Sequence, residues 1–272
     1  MSLYREVLGR GAPFLAAGGI HLDHRYLRPW LDPLADAMRL VYFDHRGTGR
    51  SPRPASPEEL GHGVWAEDID RLRAGLDDAD EIVLFGHSYG GYLALEYALR
   101  HPGTLRGLVL CSTAPAFDYP ATALDNARRR GTPEQLRALE RALGADVADD
   151  DALCRIWLEL LPLYFHERNP GEVSEWEDCS RYAAGAFNHA FGRCLPGYDV
   201  TDRLGEIRVP TLVLVGRHDW ITPPAEGAGR LLEGIPDARG VVFEESGHFP
   251  FMEEPERFLT TVRAWLEDSG IA

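Results

Sequence analysis

The apolar and polar positions divide the chain into a first part where short apolar runs alternate with helical stretches, a middle with no buried-type run, and a last part where the alternation returns. Leu3 to Leu8 alternates weakly into Gly9-Arg10-Gly11, and Pro13-Phe14-Leu15-Ala16-Ala17 is continuously apolar, so the two read as strands joined by a turn. Tyr26 to Met38 has apolar residues at helical spacing, which Pro29 and Pro33 split into short pieces. Arg39 to Phe43, Glu81 to Phe85 and Leu105 to Cys111 are buried-type strands. Trp65 to Leu76 and Tyr89 to Arg100 are predicted helices, the second stopped by His101-Pro102-Gly103. Apolar strands separated by helices imply an α/β fold with a mostly parallel sheet and helices on both faces.

Past Thr113 the character changes. From Pro115 to about Tyr198 no buried strand stands out, and Ala121–Arg130, Pro133–Leu143, Ala152–Phe165 and Val173–Phe191 read as helices. This predicts a helical cap, residues 115–198, inserted after the strand ending near Cys111, with residues 1–114 and 199–272 forming the core. The sheet pattern resumes at Val209 to Val215, followed by a helix (Ala225 to Leu232), a strand (Gly240 to Phe243) and a closing helix (Pro255 to Leu266). Trp157 and Trp176 in the insertion, with Trp220 and Phe249 just past later strands, are the candidate substrate contacts.

Composition narrows the partners. A net charge of −15 on 272 residues would repel nucleic acid and an anionic membrane, and fits solubility. No apolar run reaches spanning length, and Met1 to Glu6 lacks a signal pattern, so a cytoplasmic location is expected. Cys111, Cys154, Cys179 and Cys194 show no C-x-x-C spacing, and are expected as free thiols with Cys111 buried. His21, Asp23 and His24 lack a further ligand set, so they are expected at a loop edge facing solvent or the pocket. No metal and no cofactor is expected; the expected partner is a small molecule or short peptide.

The chemistry centres on Gly86-His87-Ser88-Tyr89-Gly90-Gly91, between a strand and a helix. Glycines two before and two after a serine suit a sharp strand-to-helix turn that exposes the hydroxyl, with the Tyr89 N–H at a helix N-terminus as one oxyanion donor. Gly18-Gly19, after the second strand, supplies the candidate second donor, the Gly19 N–H. Asp219 and His248 each follow a later strand, on the side of the sheet where α/β proteins place their sites. Of ten histidines, His248 alone combines a preceding strand, a glycine and a downstream helix. Serine needs a base to take its proton, imidazole can do so, and a carboxylate holds the imidazole's tautomer. For Asp44 and Arg46, in the turn Asp44 to Ser51, a structural role satisfying backbone groups is expected over binding of a substrate ion.

In Tyr42-Phe43-Asp44-His45-Arg46-Gly47-Thr48-Gly49-Arg50-Ser51, Gly86 to Gly91, Gly216-Arg217-His218-Asp219 and Ser246-Gly247-His248, the chain resembles the α/β-hydrolase superfamily, in its proline iminopeptidase-like group. The resemblance implies a serine hydrolase with Ser88 as nucleophile, His248 as base and acid, and Asp219 orienting it, acting on a small ester, lactone or amide. Where the family usually has His-Gly-Gly-Pro-Gly, this chain has Ala17-Gly18-Gly19-Ile20-His21. Loss of one oxyanion donor costs about a hundredfold to a thousandfold in rate, so this loop bears on how much hydrolysis is supported. An aminopeptidase remains an alternative and would need acidic cap residues for a free amine; Glu175, Glu177 and Asp178 are candidates, although a solvated helix face is the expected reading. A C–C bond hydrolase, lyase or cyclase with an altered oxyanion loop, and a binding module without catalysis, are further alternatives.

Overall fold

The computed structural model describes residues 2–167 and 181–272. Its sheet comprises β1 (Arg5–Leu8), β2 (Pro13–Ala17), β3 (Arg39–Phe43), β4 (Ile82–His87), β5 (Leu105–Cys111), β6 (Thr211–Gly216) and β7 (Ala238–Phe243). Alternate residues of each central strand go to opposite faces. Phe14 and Ala16 of β2 join one apolar cluster and Leu15 and Ala17 the other; Val83 and Phe85 of β4 separate in the same way from Ile82 and Leu84. Strands buried on both faces read as continuous apolar runs, which is why the pattern marked them.

The strand order is β1-β3-β2-β4-β5-β6-β7, with β1 antiparallel to β3 and the other pairings parallel. The carboxyl ends of β2, β4, β5 and β6 therefore open on one side of the molecule. α1 (His62–Ala74) begins three residues earlier than its apolar spacing predicts, and α2 (Tyr89–Arg100) matches its prediction. Between β2 and β3 the two prolines leave only 3-10 turns at His24–Leu27 and Asp32–Asp36.

Between β5 and β6 the described residues hold α3 (Pro120–Arg130), α4 (Pro133–Leu143), α5 (Asp150–Tyr164) and α6 (Ala184–His189). α4 starts with a capping box from Thr132 and Gln135, and Asp149 caps α5 by accepting from the Ala152 N–H at 2.7 Å. Two short segments close the base of this excursion: Ala116 bridges Asp199 antiparallel, Phe117 N–H donates to Tyr198 O at 3.0 Å, and Val200 N–H to Pro115 O at 3.0 Å. Of the helix expected over Val173–Phe191, only the last part falls within the described residues, as α6 followed by a wider turn over Ala190–Cys194. Glu175, Trp176, Glu177, Asp178 and Cys179 lie outside the described residues.

One expected helix is corrected. Ala225 to Leu232 forms a wide turn over Ala225–Gly229 and then α7 (Arg230–Gly234). Gly227 and Gly229 weaken a regular helix, and a Cβ on Gly227 would lie 2.6 Å from Thr113 O, so the turn is pressed onto the backbone after β5. α8 (Pro250–Glu253) and α9 (Pro255–Asp268) close the chain. Among the described residues, no helix is long and apolar enough to cross a membrane.

Candidate active site

Ser88 stands between β4 and α2 with φ 55° and ψ −120°, a region that costs a non-glycine residue roughly 1–3 kcal/mol and persists only when its surroundings enforce it. They do so from two sides. A Cβ on Gly86 would lie 2.6 Å from Gly90 O, and one on Gly90 would enter the Ala17 carbonyl, so neither position admits a side chain. The Ser88 N–H is held by Cys111 O at 2.9 Å, and Ser88 O accepts from the Gly91 N–H at 2.9 Å. The Tyr89 N–H opens α2 and has no backbone acceptor among the described residues, as the first donor of a helix should.

Asp219 and His248 meet across the ends of β6 and β7. His248 Nδ1 lies 2.8 Å from Asp219 Oδ2, with both side chains fully buried. Asp219 also accepts from the Ile221 N–H (3.0 Å), the Thr222 N–H (3.1 Å) and the Thr222 hydroxyl (2.6 Å). Burial alone would raise its carboxyl, but His248 and Thr222 together hold it below the usual range. An ionised carboxylate only accepts, so His248 donates from Nδ1 to Asp219, and its Nε2 has no hydrogen-bond partner among the described residues. In a free enzyme the bond from serine to such a base is often open. The backbone of His248 is fixed by Tyr164 O, which accepts its N–H at 2.7 Å from the end of α5. Glu253 ties the same loops together, accepting from the His166 N–H (2.6 Å) and the Gly247 N–H (2.7 Å).

The loop facing the serine is organised differently. The Gly19 N–H donates to Tyr26 Oη at 2.8 Å, Tyr26 Oη lies 2.9 Å from His87 Nδ1, and His87 Nε2 lies 2.9 Å from His248 O. A carbonyl can only accept, so His87 carries its proton on Nε2 and donates it to His248 O. Its Nδ1 then accepts the Tyr26 hydroxyl proton, which leaves the Tyr26 oxygen to accept from Gly19. Burial holds His87 well below its usual pKa and keeps it neutral, while its two partners fix which nitrogen carries the proton. The donor expected for the oxyanion is therefore engaged by Tyr26 in the free protein, a relay that sequence reading missed because Tyr26 sits in apolar spacing indistinguishable from core.

A cavity adjoins Ser88 and Tyr89. Trp157 and Trp220, two of the candidate substrate contacts, line it. Phe249 does not: it is buried behind the histidine loop, its ring 5.3 Å from that of His87, 5.4 Å from that of His248 and 5.1 Å from that of Phe165. The residue after the histidine thus turns inward, and this expectation is corrected. His21 does face the cavity, whereas Asp23 and His24 are buried rather than at a loop edge. Asp23 accepts from the Arg25 and Arg181 N–H groups, and His24 Nδ1 lies 2.7 Å from Asp44 Oδ1. Asp44 also accepts from the His24 and Arg50 N–H groups, the backbone role expected for it, while Arg46 pairs with Asp68 on α1 at 2.6 and 2.7 Å. Among the described residues no group of three or more His, Cys, Asp or Glu side chains is placed to hold a metal ion.

A family model described as alpha/beta hydrolase fold matches residues 14–255. The chain belongs to the α/β-hydrolase family. Within it, this hydrolase falls in the proline iminopeptidase-like group: the proline iminopeptidase of Clostridioides difficile (strain 630) is 30% identical to it, over 95% of this chain and 90% of that protein. Proline iminopeptidase of Saccharolobus solfataricus is 28% identical over 92% of this chain and 83% of that protein. Among solved structures, a thermophilic esterase from Thermogutta terrifontis superposes with a TM-score of 0.78 at 30% identity, covering 98% of this chain and 93% of that one.

Proposed function

We propose that this α/β-hydrolase is a serine hydrolase cleaving small esters or lactones with an apolar body, on a core of residues 1–114 and 199–272 beneath a cap of residues 115–198. Ser88 Oγ attacks the ester carbonyl while His248 Nε2 takes its proton; the new C–O bond forms and the carbonyl electrons move to an oxyanion facing the Tyr89 N–H. The oxyanion collapses, His248 returns the proton to the leaving alcohol, and an acyl-Ser88 remains. Water then attacks the acyl group with the same histidine as base, releasing the acid. Asp219 stabilises the imidazolium formed in each half.

The observation carrying this reading is the bond from His248 Nδ1 to Asp219, which leaves Nε2 as the free base on the side chain whose ring packs 4.9 Å from that of His87, the residue before Ser88. The ester preference rests on the cavity, where no Asp, Glu, Lys or Arg stands among the described lining residues. A free ammonium buried there would lack a counter-charge. The Ser88→Ala protein should keep its fold by circular dichroism and lose turnover of a short-chain p-nitrophenyl ester; undiminished turnover would refute the assignment. Asp219→Asn should lower kcat about ten-thousandfold with KM little changed, because the histidine loses its tautomer. Kinship to the proline iminopeptidases supports an aminopeptidase as second reading, and acetylating the amine of a prolyl amide distinguishes it: an aminopeptidase loses turnover, an esterase-type enzyme is indifferent.

A further inference from the structure

The cavity beside Ser88 is walled almost wholly by aliphatic and aromatic side chains. In such surroundings an unpaired polar atom is costly, and buried polar groups nearly always have partners. Three lining side chains break that rule together. Both ring nitrogens of His21, and the indole Nε1 atoms of Trp157 and Trp220, have no hydrogen-bond partner among the described residues. These residues are only 7%, 6% and 4% exposed, so bulk water does not readily serve them.

The His21 carbonyl accepts from the Ala183 N–H at 3.2 Å, whereas its side chain is positioned by rings. Its ring centre lies 4.1 Å from that of Trp157 on α5 and 6.1 Å from that of Phe187 on α6. Burial, with His248 nearby, pushes its pKa down to about 3, so it is neutral at ordinary pH. A neutral imidazole offers one N–H and one lone pair, while an indole offers an N–H alone. Together they suit a neutral group that can both donate and accept, and they suit neither a carboxylate nor an ammonium, for which the described walls hold no counter-charge.

We propose that His21, with Trp157 beside it, forms a polar subsite that binds one hydroxyl group carried by an otherwise apolar ester substrate. The inference rests on the reading of this cavity as the substrate site of Ser88, and it makes His21 a specificity-determining residue. The loop position where the family usually has glycine thus carries the side chain that reads the substrate.

The test uses Ser88→Ala protein, so that binding is measured without turnover, with ethyl hexanoate and ethyl 3-hydroxyhexanoate as probes and tryptophan fluorescence as readout. The hydroxy ester should bind at least as tightly as the plain ester, although it gives up more hydration. Adding His21→Phe, which keeps the ring stack, should weaken the hydroxy ester about tenfold and leave the plain ester unchanged or tighter. Trp157→Phe should shift the same ratio in the same direction, and serves if the His21 variant does not fold. Equal shifts for both esters, or no binding of either, overturn the subsite. If wild-type protein and Ser88→Ala turn over the plain ester equally, the nucleophile assignment fails, and the binding ratio still decides the role of His21.

Discussion

Two glycine-paired turns face each other at the carboxyl ends of neighbouring parallel strands, Gly86 to Gly91 after β4 and Gly18 to His21 after β2, and they are held in opposite ways. The serine turn is set by backbone sterics: Gly86 is closed off by Gly90 O, Gly90 by the Ala17 carbonyl, and Ser88 is pinned between Cys111 O and the Gly91 N–H. The facing loop is set by side chains: Tyr26 takes the Gly19 N–H, His45 Nε2 lies 3.0 Å from Gly18 O, and His21 leans on Trp157. Sterics leave Ser88 one conformation. Side-chain hydrogen bonds leave the opposing loop adjustable by titration, mutation or ligand.

The largest expected effect lies on the steric side. Gly90→Ala drives a methyl into the Ala17 carbonyl, and because both partners are backbone in packed elements, neither turn can yield without moving a strand. Overpacking of this kind costs up to about 3 kcal/mol, so the urea midpoint should fall sharply with the slope unchanged. A loss below about 0.5 kcal/mol would mean that the two turns are not in steric register.

Acid should act mainly through the histidines buried around the two turns. His21 is pushed down to about 3 and His45 to about 4, each chiefly by burial, and His87 lies well below its usual value. An imidazole that binds a proton near 6.5 in the unfolded chain but only near 3 or 4 in the fold gives the unfolded state the extra proton between those values. Full stability is therefore present above pH 6.5 and declines as pH falls toward the folded pKa, by about 1.4 kcal/mol per pH unit for each such proton. His21→Phe should flatten the decline between pH 6.5 and 4 by about one proton in urea titrations, and an unchanged slope would show that His21 takes up its proton while folded.

The same contrast explains what the sequence made legible. The serine turn, the strands and the order Ser88, Asp219, His248 were readable because each depends on local spacing or on runs of apolar residues. The relay through Tyr26 and His87 was not, because it joins residues 61 positions apart that each carry a second, ordinary explanation, a core tyrosine and a turn histidine. Phe249 misled for a related reason: adjacency to His248 along the chain says nothing about which side of the loop a ring takes. His21 stood in view as a departure from the family's glycine, but its contact with Trp157 depends on how the helices between β5 and β6 fold back over the sheet.

The smallest expected effect bears most directly on the adjustable loop. Tyr26→Phe removes the hydroxyl that engages the Gly19 N–H while keeping the ring that packs against the histidine and phenylalanine behind it, with centroids 5.7 Å from His87 and 6.4 Å from Phe251. It strips His87 Nδ1 of its donor, so stability should fall by about 1–2 kcal/mol. It also releases the Gly19 N–H, and an oxyanion that no longer competes with a tyrosine oxygen should form more readily. Ester turnover per folded molecule should then rise about fivefold in kcat, an effect of about 1 kcal/mol, with KM nearly constant because the gain arises only where charge develops. If kcat falls in step with stability instead, the Gly19 N–H serves the relay alone, and Tyr89 carries the oxyanion with a donor other than Gly19.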